Sequence, residues 1–266
     1  MKTRVISAAV LIVIVAACFL ISPLTRLLFL LAAACLAVRE MLGAYKTLGV
    51  KCAAWVPYIA AAGAAALLWF ECGRLYLDAL CLAAVFAALS CGVISRDIGG
   101  RGAAASLAVL AYPLLPFVII MQLALKDKSV CVPVFLIGCI STWLCDAFAL
   151  FGGSRFGKHK LAPAVSPNKT VEGSLTGALA AVVGGVILYF CLRNGFGMRL
   201  VPCMATALIC SSLGQMGDLA ASLIKRMCGL KDFSDLIPGH GGVMDRVDSL
   251  LFSIPSAYFC LTLFGI

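Results

Sequence analysis

Residues 130–151 read VCVPVFLIGCISTWLCDAFALF, an apolar run whose one charged residue is Asp146. Its length matches the roughly 20 residues that an α-helix needs to cross a bilayer. The Asp146 carboxylate would lie inside the run, where it is costly unless it has a partner or faces water. We therefore interpret the run as a membrane-spanning helix and Asp146 as a functional residue, with a structural ion pair as the alternative.

The composition extends this prediction to the whole chain. Of its 266 residues, 63% are hydrophobic and 12% are charged, and the mean hydropathy is +1.08. These values lie outside the range of soluble domains, so we predict an all-α, polytopic membrane protein with about nine transmembrane helices. The predicted spans are a retained first run up to about residue 21, then 24–38, 52–70, 75–94, 102–123, 130–151, 174–192, 200–221 and 249–265.

The first half of the chain carries little specific chemistry. We divide the sequence into N-terminal transmembrane helices, residues 1–125, and a C-terminal catalytic transmembrane region, residues 126–266. Tyr112, Pro113 and Pro116 are expected to kink the fifth span. The acidic residues of the first region are predicted to be solvated or structurally paired; Glu40, Glu71 and Asp97 fall in predicted loops, and Asp78 near the end of a span.

The basic residues predict an orientation. With the N-terminus inside, the predicted inner segments hold fifteen Lys and Arg residues and the outer segments six. Cytoplasmic loops are enriched in these residues, so the N-terminus and the polar loops are predicted to face the cytoplasm. The net charge of +9 is then explained by topology, and no nucleic-acid partner is expected. The fourteen cysteines form no C-x-x-C pair and are interpreted as packing residues.

Two polar segments follow the sixth span. The first, GGSRFGKHK at 152–160, is basic and suits contact with anionic lipid headgroups. The second, SPNKTVEG at 166–173, comes at the predicted start of the seventh helix. Backbone N–H groups at a helix N-terminus bind anions. The side chains expected to complete such an anion site are Ser166, Asn168, Lys169 and Thr170.

A third polar segment, residues 217–249, begins with a predicted helix. Asp218, Ser222, Lys225 and Gly229 follow at steps of four, three and four, which would align them along one helix face. Arg226 lies beside that face. A carboxylate, a hydroxyl and two cations in this order suit a metal-bound, multiply charged ligand.

The helix should end before the sequence IPGHGG, residues 237–242, because proline and glycines favour a tight turn where N–H groups approach an anion. Asp245, Arg246 and Asp248 follow. Carboxylates bind Mg²⁺, and Lys and Arg neutralise phosphate, so the segment indicates phosphoryl or nucleotidyl transfer. The alternative is a solvated loop whose charges keep it in water.

The order of these residues is more specific than their composition. The strings SLIKR at 222–226, KD at 231–232 and PGHGGVMDRVD at 238–248 together resemble the phosphatidate cytidylyltransferase family, also called CDP-diacylglycerol synthase.

The upstream segment resembles the same family, from Asp146 through SPNKTVEG at 166–173. Members of the family commonly have an aromatic residue near Leu150 and a tryptophan near Val171. This chain differs from the family at these two positions, and both are apolar. The resemblance covers about residues 140–250.

The resemblance implies that CTP and phosphatidic acid react to give CDP-diacylglycerol and pyrophosphate, with Mg²⁺ alone or with a second cation. It also implies a homodimer in membrane lipid, in a bacterial inner membrane. The implied catalytic residues are Asp218, Asp245, Asp248, Lys225 and Arg226. The implied substrate-binding residues are Ser166, Asn168, Lys169, Thr170, Ser222, Lys231, His240, Gly241, Gly242 and Arg246. The implied metal ligands are Asp218, Asp245, Asp248 and Asp146.

Other functions fit part of the same pattern. A related enzyme could act on another lipid phosphate with the same groups, whereas a CTP-dependent lipid kinase would not need the string from Lys225 to Asp248. A membrane transporter would show paired repeats with broken helices in both halves. The polar motifs all lie in the second half of this chain, which favours an enzyme.

Overall fold

The structure, a computed structural model, describes Cys18, residues 21–239 and residues 241–265. The N-terminal helices are α1 (Pro23–Thr47), α2 (Trp55–Trp69), α3 (Arg74–Ile94), α4 (Gly99–Val109), a π-helical turn (Leu110–Leu114) and α5 (Leu115–Ala124). The elements that follow are α6 (Lys128–Phe156), β1 (Lys160–Ala162), β2 (Ser166–Thr170), α7 (Val171–Phe196), α8 (Leu200–Met227), α9 (Met244–Val247) and α10 (Leu250–Leu263).

These elements confirm the predicted all-α membrane fold. Six helical segments in the described part of the chain are long and apolar enough to cross a membrane: α1, α3, α4 to α5, α6, α7 and α8. Helices α2 and α10 are shorter, at 15 and 14 residues. Each predicted span from the second to the ninth coincides with a helix. Most of the first lies outside the described residues, so the count of nine is not confirmed.

Helix α1 is longer than the predicted run 24–38. It begins with a capping box, in which the Ser22 hydroxyl accepts from the Thr25 amide and the Thr25 hydroxyl accepts from the Ser22 amide. It continues to Thr47, because the polar residues after the apolar run are themselves good helix formers. Glu40, predicted to lie in a loop, is therefore in this helix.

The fifth span is kinked, as the sequence predicted. A π-helical turn at Leu110–Leu114 joins α4 to α5, and Tyr112 within it has φ −150° and ψ 110°, outside the helical region. Pro113 has no N–H to donate to the preceding turn and its ring crowds that turn. The kink therefore follows from the position of Pro113.

Packing between α6 and α7 depends on glycines. A Cβ on Gly152 of α6 would overlap the Thr176 hydroxyl of α7. A Cβ on Gly177 of α7 would lie 2.6 Å from the carbonyl oxygen of Cys145. Side chains larger than hydrogen would force the two helices apart, so these glycines set their close approach.

A short hairpin connects α6 to α7 and was not predicted. Strands β1 and β2 are antiparallel, with Lys160 opposite Thr170 and Ala162 opposite Ser166. Glu172 accepts hydrogen bonds from the amides of Lys158 and His159 and contacts His159 Nδ1 at 2.6 Å. These bonds fix the chain that enters the hairpin to the first turn of α7.

The chain divides into two compact units. The first comprises Met1–Leu125 and Ile224–Arg246, and the second Lys126–Leu223 and Val247–Ile266. The segment Ile224–Arg246, predicted to belong to the C-terminal region, is thus in the unit of the N-terminal helices. Within that unit, the Thr47 hydroxyl donates to the carbonyl oxygen of Cys228 at 3.0 Å.

Candidate active site

Helix α8 carries the polar stripe that the sequence predicted. Asp218, Ser222 and Lys225 lie on it at steps of four and three, so they share one face. Gly229 does not extend the stripe, which corrects the prediction. The helix ends at Met227, and Gly229 has φ +68°.

The end of α8 is a Schellman motif. The Gly229 amide donates to the carbonyl of Arg226 at 3.1 Å, and the Leu230 amide to that of Lys225 at 2.8 Å. The left-handed backbone that this motif needs is readily adopted only by glycine. The motif redirects the chain into the loop that follows, immediately after Lys225 and Arg226.

Lys225 and Asp245 form a buried ion pair in the first unit. Lys225 Nζ lies 2.7 Å from Asp245 Oδ1, and the two side chains are 11% and 3% exposed. The ammonium also lies 5.5 Å from the centre of the Phe233 ring, within range of a cation–π contact. Burial at this level requires partners for both charges, and the pair supplies them.

The second oxygen of Asp245 organises the loop before it. Oδ2 accepts from the amides of Phe233 at 2.8 Å and Gly242 at 3.0 Å. The Ile237 amide donates to the Gly241 carbonyl at 2.8 Å, and Gly241 has φ +78°. Asp245 therefore joins Phe233 to Gly242, at the two ends of the loop that contains the glycine-rich turn. His240, predicted to help shape a nucleotide pocket, lies outside the described residues.

Glu40 contacts the same loop and was missed as a site residue. It is 6% exposed, and its carboxylate accepts from the hydroxyl of Ser234 and the amides of Val243 and Met244. The sequence predicted that Glu40 is either solvated or structurally paired, but it did not identify the partner. No local pattern identifies the partner, because the contact joins residues about 200 positions apart.

The second unit holds a second ion pair. Lys169 Nζ, on β2, lies 2.5 Å from Asp218 Oδ2 on α8, and Ser222 Oγ donates to Asp218 Oδ1 at 3.3 Å. Asp146, on α6, is close enough to interact electrostatically with both Asp218 and Lys169. The structure thus gathers four predicted site residues from three elements, at a partly exposed position.

Asp248 lies beside α8 within this second unit. A Cβ on Gly217 would lie 2.6 Å from the Asp248 carbonyl oxygen, so the glycine allows the chain of Asp248 to pass close to the residue before Asp218. The Asp248 carboxylate accepts from the amide of Ser249 at 2.7 Å, and the residue is buried. The backbone of Asp248 therefore packs against Gly217, the residue before Asp218.

The remaining predicted residues have simpler surroundings. Thr170 is the N-cap of α7, and its hydroxyl accepts from the Gly173 amide at 3.1 Å, so it caps the predicted anion-binding helix terminus. Ser166 pairs with Ala162 in the hairpin. Arg226 donates to the Leu230 carbonyl at 3.1 Å. The predicted site residues with exposed side chains are Asp146, Asn168, Arg226, Lys231 and Arg246.

The donor groups suit a hard cation, with substrate supplying part of the coordination. Among the described residues, no three His, Cys, Asp or Glu side chains group closely enough to hold a metal ion by themselves. Mg²⁺ is commonly bound through one or two carboxylates, waters and substrate phosphates. Asp218 and Asp248 each offer such a carboxylate. The Asp218 oxygens already accept from Lys169 and Ser222, and the Asp248 carboxylate accepts from the Ser249 amide. Asp245 has oxygens that already accept from Lys225 and two amides, so an ion there would compete with Lys225.

Comparison with known proteins gives a family model that covers almost the whole chain and relatives that match about half to two thirds of it. The model of the Cytidylyltransferase family matches residues 2–264. A phosphatidate cytidylyltransferase of Bacillus subtilis (strain 168) is 42% identical over 127 residues, which is 48% of this chain and 46% of that protein.

Two staphylococcal proteins of the same name are also similar. The protein of Staphylococcus aureus (strain COL) is 37% identical over 176 residues, 65% of each chain. That of Staphylococcus saprophyticus is 35% identical over 175 residues, again 65% of each chain. The aligned segments thus span between about half and two thirds of these relatives' length.

Proposed function

This chain belongs to the cytidylyltransferase family, and from that membership we propose that it transfers CMP from CTP to phosphatidic acid. The products are CDP-diacylglycerol and pyrophosphate, the first an intermediate of phospholipid synthesis. The names of the similar bacterial proteins support this choice of substrates. The lipid substrate also suits a chain with several membrane-length apolar helices.

The observation that carries the proposal is the Lys169–Asp218 pair with its neighbours. A cation, two carboxylates and a hydroxyl in a partly exposed cluster are unusual in so apolar a chain. Polar and ionisable residues in membrane helices are costly and mark functional sites. Cations and carboxylates together are the groups that bind metal-associated phosphates.

The reaction needs charge neutralisation more than a protein nucleophile. A phosphate oxygen of phosphatidic acid forms a bond to the α-phosphorus of CTP, and the bond from that phosphorus to the bridging oxygen of pyrophosphate breaks. Charge on the transferred group and on the leaving pyrophosphate is stabilised by positioned cations. We assign that role to Lys169, Lys225, Arg226 and Arg246. Each substrate phosphate would compete with the carboxylate partners for the two lysines.

The remaining predicted residues would bind the substrates. Ser222 and Lys231 would contact phosphate oxygens, and the turn containing His240, Gly241 and Gly242 would shape the nucleotide pocket. Ser166, Asn168 and Thr170 would support the loop that carries Lys169. These roles follow from the family resemblance and from the elements on which the residues lie.

Mg²⁺ is the proposed cofactor, alone or with a second cation. The family resemblance proposes Asp218, Asp245, Asp248 and Asp146 as ligands, of which Asp245 belongs to the first unit and the others to the second. A bound ion would neutralise phosphate charge and polarise the α-phosphate. The hard oxygen ligands of these residues fit Mg²⁺.

The proposed location is the inner membrane of a bacterium, with the N-terminus and the catalytic loops in the cytoplasm. The excess of Lys and Arg in the predicted inner segments supports that orientation. CTP would then arrive from the cytoplasm and phosphatidic acid from the bilayer. We propose a homodimer, on the family resemblance alone.

The test is formation of CDP-diacylglycerol from labelled CTP and phosphatidic acid, in detergent micelles with Mg²⁺. Wild type should make product, and Asp218→Asn should lose most of the activity while remaining folded. Asp97→Asn is the matched control, because Asp97 forms an exposed ion pair with Lys51. If folded wild type makes no product from phosphatidic acid, other lipid phosphates are assayed in its place and the proposed substrate is wrong.

A further inference from the structure

Glu40 is a buried acid on α1, far in sequence from every predicted site residue. We infer that it is a positioning residue: it holds the backbone of residues 242–244 and thereby keeps the Asp245 carboxylate oriented toward Lys225. This inference rests on the proposed function, in which Lys225 and Asp245 take part. It is carried by contacts within the first unit.

Both oxygens of Glu40 accept hydrogen bonds from the loop. Oε1 accepts from the Ser234 hydroxyl at 2.6 Å and the Val243 amide at 2.9 Å, and Oε2 accepts from the Met244 amide at 2.7 Å. Hydrogen bonds to an ionised acceptor are stronger than neutral ones. Because Glu40 is 6% exposed, water cannot readily replace these donors.

The contacts of Glu40 and Asp245 interleave along the chain. Asp245 accepts from the amides of Phe233 and Gly242, and Glu40 accepts from the next residue after each, Ser234 and Val243. Each end of the loop is thus held by both carboxylates, through consecutive residues. Without Glu40, Asp245 would be the one of these two carboxylates still bonded to the ends of the loop. The backbone of residues 243–244, just before Asp245, would also lose its hydrogen bonds to Glu40.

Gly242 makes the contact with Glu40 possible. A Cβ on Gly242 would lie 2.5 Å from Glu40 Oε2 and 2.6 Å from Oε1, well inside van der Waals contact. Any side chain there would displace the carboxylate from its donors. Gly242 and Glu40 are therefore expected to act as a unit, and their substitutions should not have independent effects.

The test compares Glu40→Ala and Glu40→Gln with wild type and with the control Asp97→Asn. We would measure kcat and KM for CTP, the melting temperature, and hydrogen exchange of peptides covering residues 232–246. Glu40→Ala should lower kcat between about 10-fold and 100-fold, because small displacements of reacting groups have effects of that size. KM for CTP should change little, as expected when the lost interaction acts in the transition state.

The exchange measurement reports the loop directly. Peptides from 232–246 should exchange faster in both Glu40 variants and at the wild-type rate in Asp97→Asn. Glu40→Gln should be intermediate in kcat and in exchange, because its one remaining oxygen can still accept while its NH₂ group cannot. If Glu40→Ala does not fold, Glu40→Gln provides the same comparison.

The double variant tests the link to Gly242. Gly242→Ala should lower kcat in the wild-type background, whereas adding it to Glu40→Ala should have little further effect because the clashing carboxylate is gone. Full additivity of the two substitutions would overturn the inference. Wild-type exchange in the Glu40 variants, or a lower melting temperature with unchanged kcat, would overturn it as well.

Failure of the proposed function would look different. In that case wild type makes no CDP-diacylglycerol, and the proposed substrate is at fault. The exchange of residues 232–246 and the melting temperature of the double variant then decide whether Glu40 holds the loop.

Discussion

Lys169 and Asp218, 49 positions apart in the sequence, form an ion pair of 2.5 Å between β2 and α8. Ser222 donates to the other oxygen of the carboxylate, and Asp146 adds a second negative charge nearby. The pair is about a quarter exposed on each side, so solvent and solutes can reach it. A multiply charged ligand that bound here would compete with each partner for the other.

We predict that Lys169→Gln lowers kcat/KM for CTP by about 100-fold, the usual effect of removing one donor that stabilises developing charge. The measurement is the initial rate of CDP-diacylglycerol formation at several CTP concentrations. The control is Lys160→Gln, an exposed lysine of the adjacent strand β1. An equal loss in both variants would mean that general basicity of the hairpin, and not Lys169 itself, is required.

The buried pair Lys225–Asp245 should matter for stability as well as for activity. Asp245→Asn leaves the Lys225 ammonium without its ionised partner, and breaking a buried pair in this way typically costs about 3–5 kcal/mol. The measurement is unfolding in detergent, followed by loss of helical circular dichroism.

The matched comparison is the exposed pair Lys51–Asp97, whose side chains are 68% and 75% exposed. Asp97→Asn should cost less than about 1 kcal/mol, because solvent screens such pairs. Similar melting temperatures for Asp245→Asn and Asp97→Asn would contradict the burial of the first pair.

The contact between α6 and α7 predicts a packing defect. Gly152→Ala places a methyl group against the side chain of Thr176, where it would overlap the hydroxyl oxygen unless the helices move. Overpacking of this kind costs about 1–3 kcal/mol, and we expect a lower melting temperature.

Gly195→Ala provides the control, because Gly195 lies on α7 and a methyl group added there would have nothing within 4 Å. Alanine at this position should be neutral or slightly stabilising. Adding Thr176→Gly to Gly152→Ala should restore part of the loss, and an unchanged deficit would place the strain elsewhere.

Metal removal gives a further prediction. EDTA should abolish product formation and added Mg²⁺ should restore it. Asp218→Asn should raise the Mg²⁺ concentration needed for half-maximal rate, because a ligand is lost. Mg²⁺ should also raise the melting temperature of wild type more than that of the variant, since a ligand bound to the native state stabilises it. Equal thermal shifts in both proteins would remove Asp218 from the proposed metal site.

Much of the helical framework could be predicted because its signals are local. An apolar run of membrane length predicts a helix from its own residues, and Pro113 kinks its span by steric effects within one turn. The end of α1 could not be predicted in this way. The polar residues that continue α1 have the composition of a loop. Glu40 is buried because it contacts a segment about 200 residues away, and the local sequence does not reveal that contact.

The hairpin β1–β2 and the position of Gly229 show the same limit. The strands are three and five residues long, too short for an alternating pattern, and the chain that enters the hairpin is held by Glu172 at the start of α7. Gly229 fits the spacing of the helix face, but its left-handed backbone ends α8 instead. Spacing alone cannot distinguish the last residue of a stripe from the glycine that terminates it.

The sequence by itself determined the membrane-helix fold, the face of α8 that carries Asp218, Ser222 and Lys225, and the polar segments that hold the candidate site. These features depend on hydrophobic length and helical period, which are properties of neighbouring residues. The tertiary structure decided that Lys169 pairs with Asp218 and that Glu40 holds the loop before Asp245. Such pairs join distant parts of the chain, and their energy comes from burial and hydrogen-bond geometry that exist only once the chain has folded.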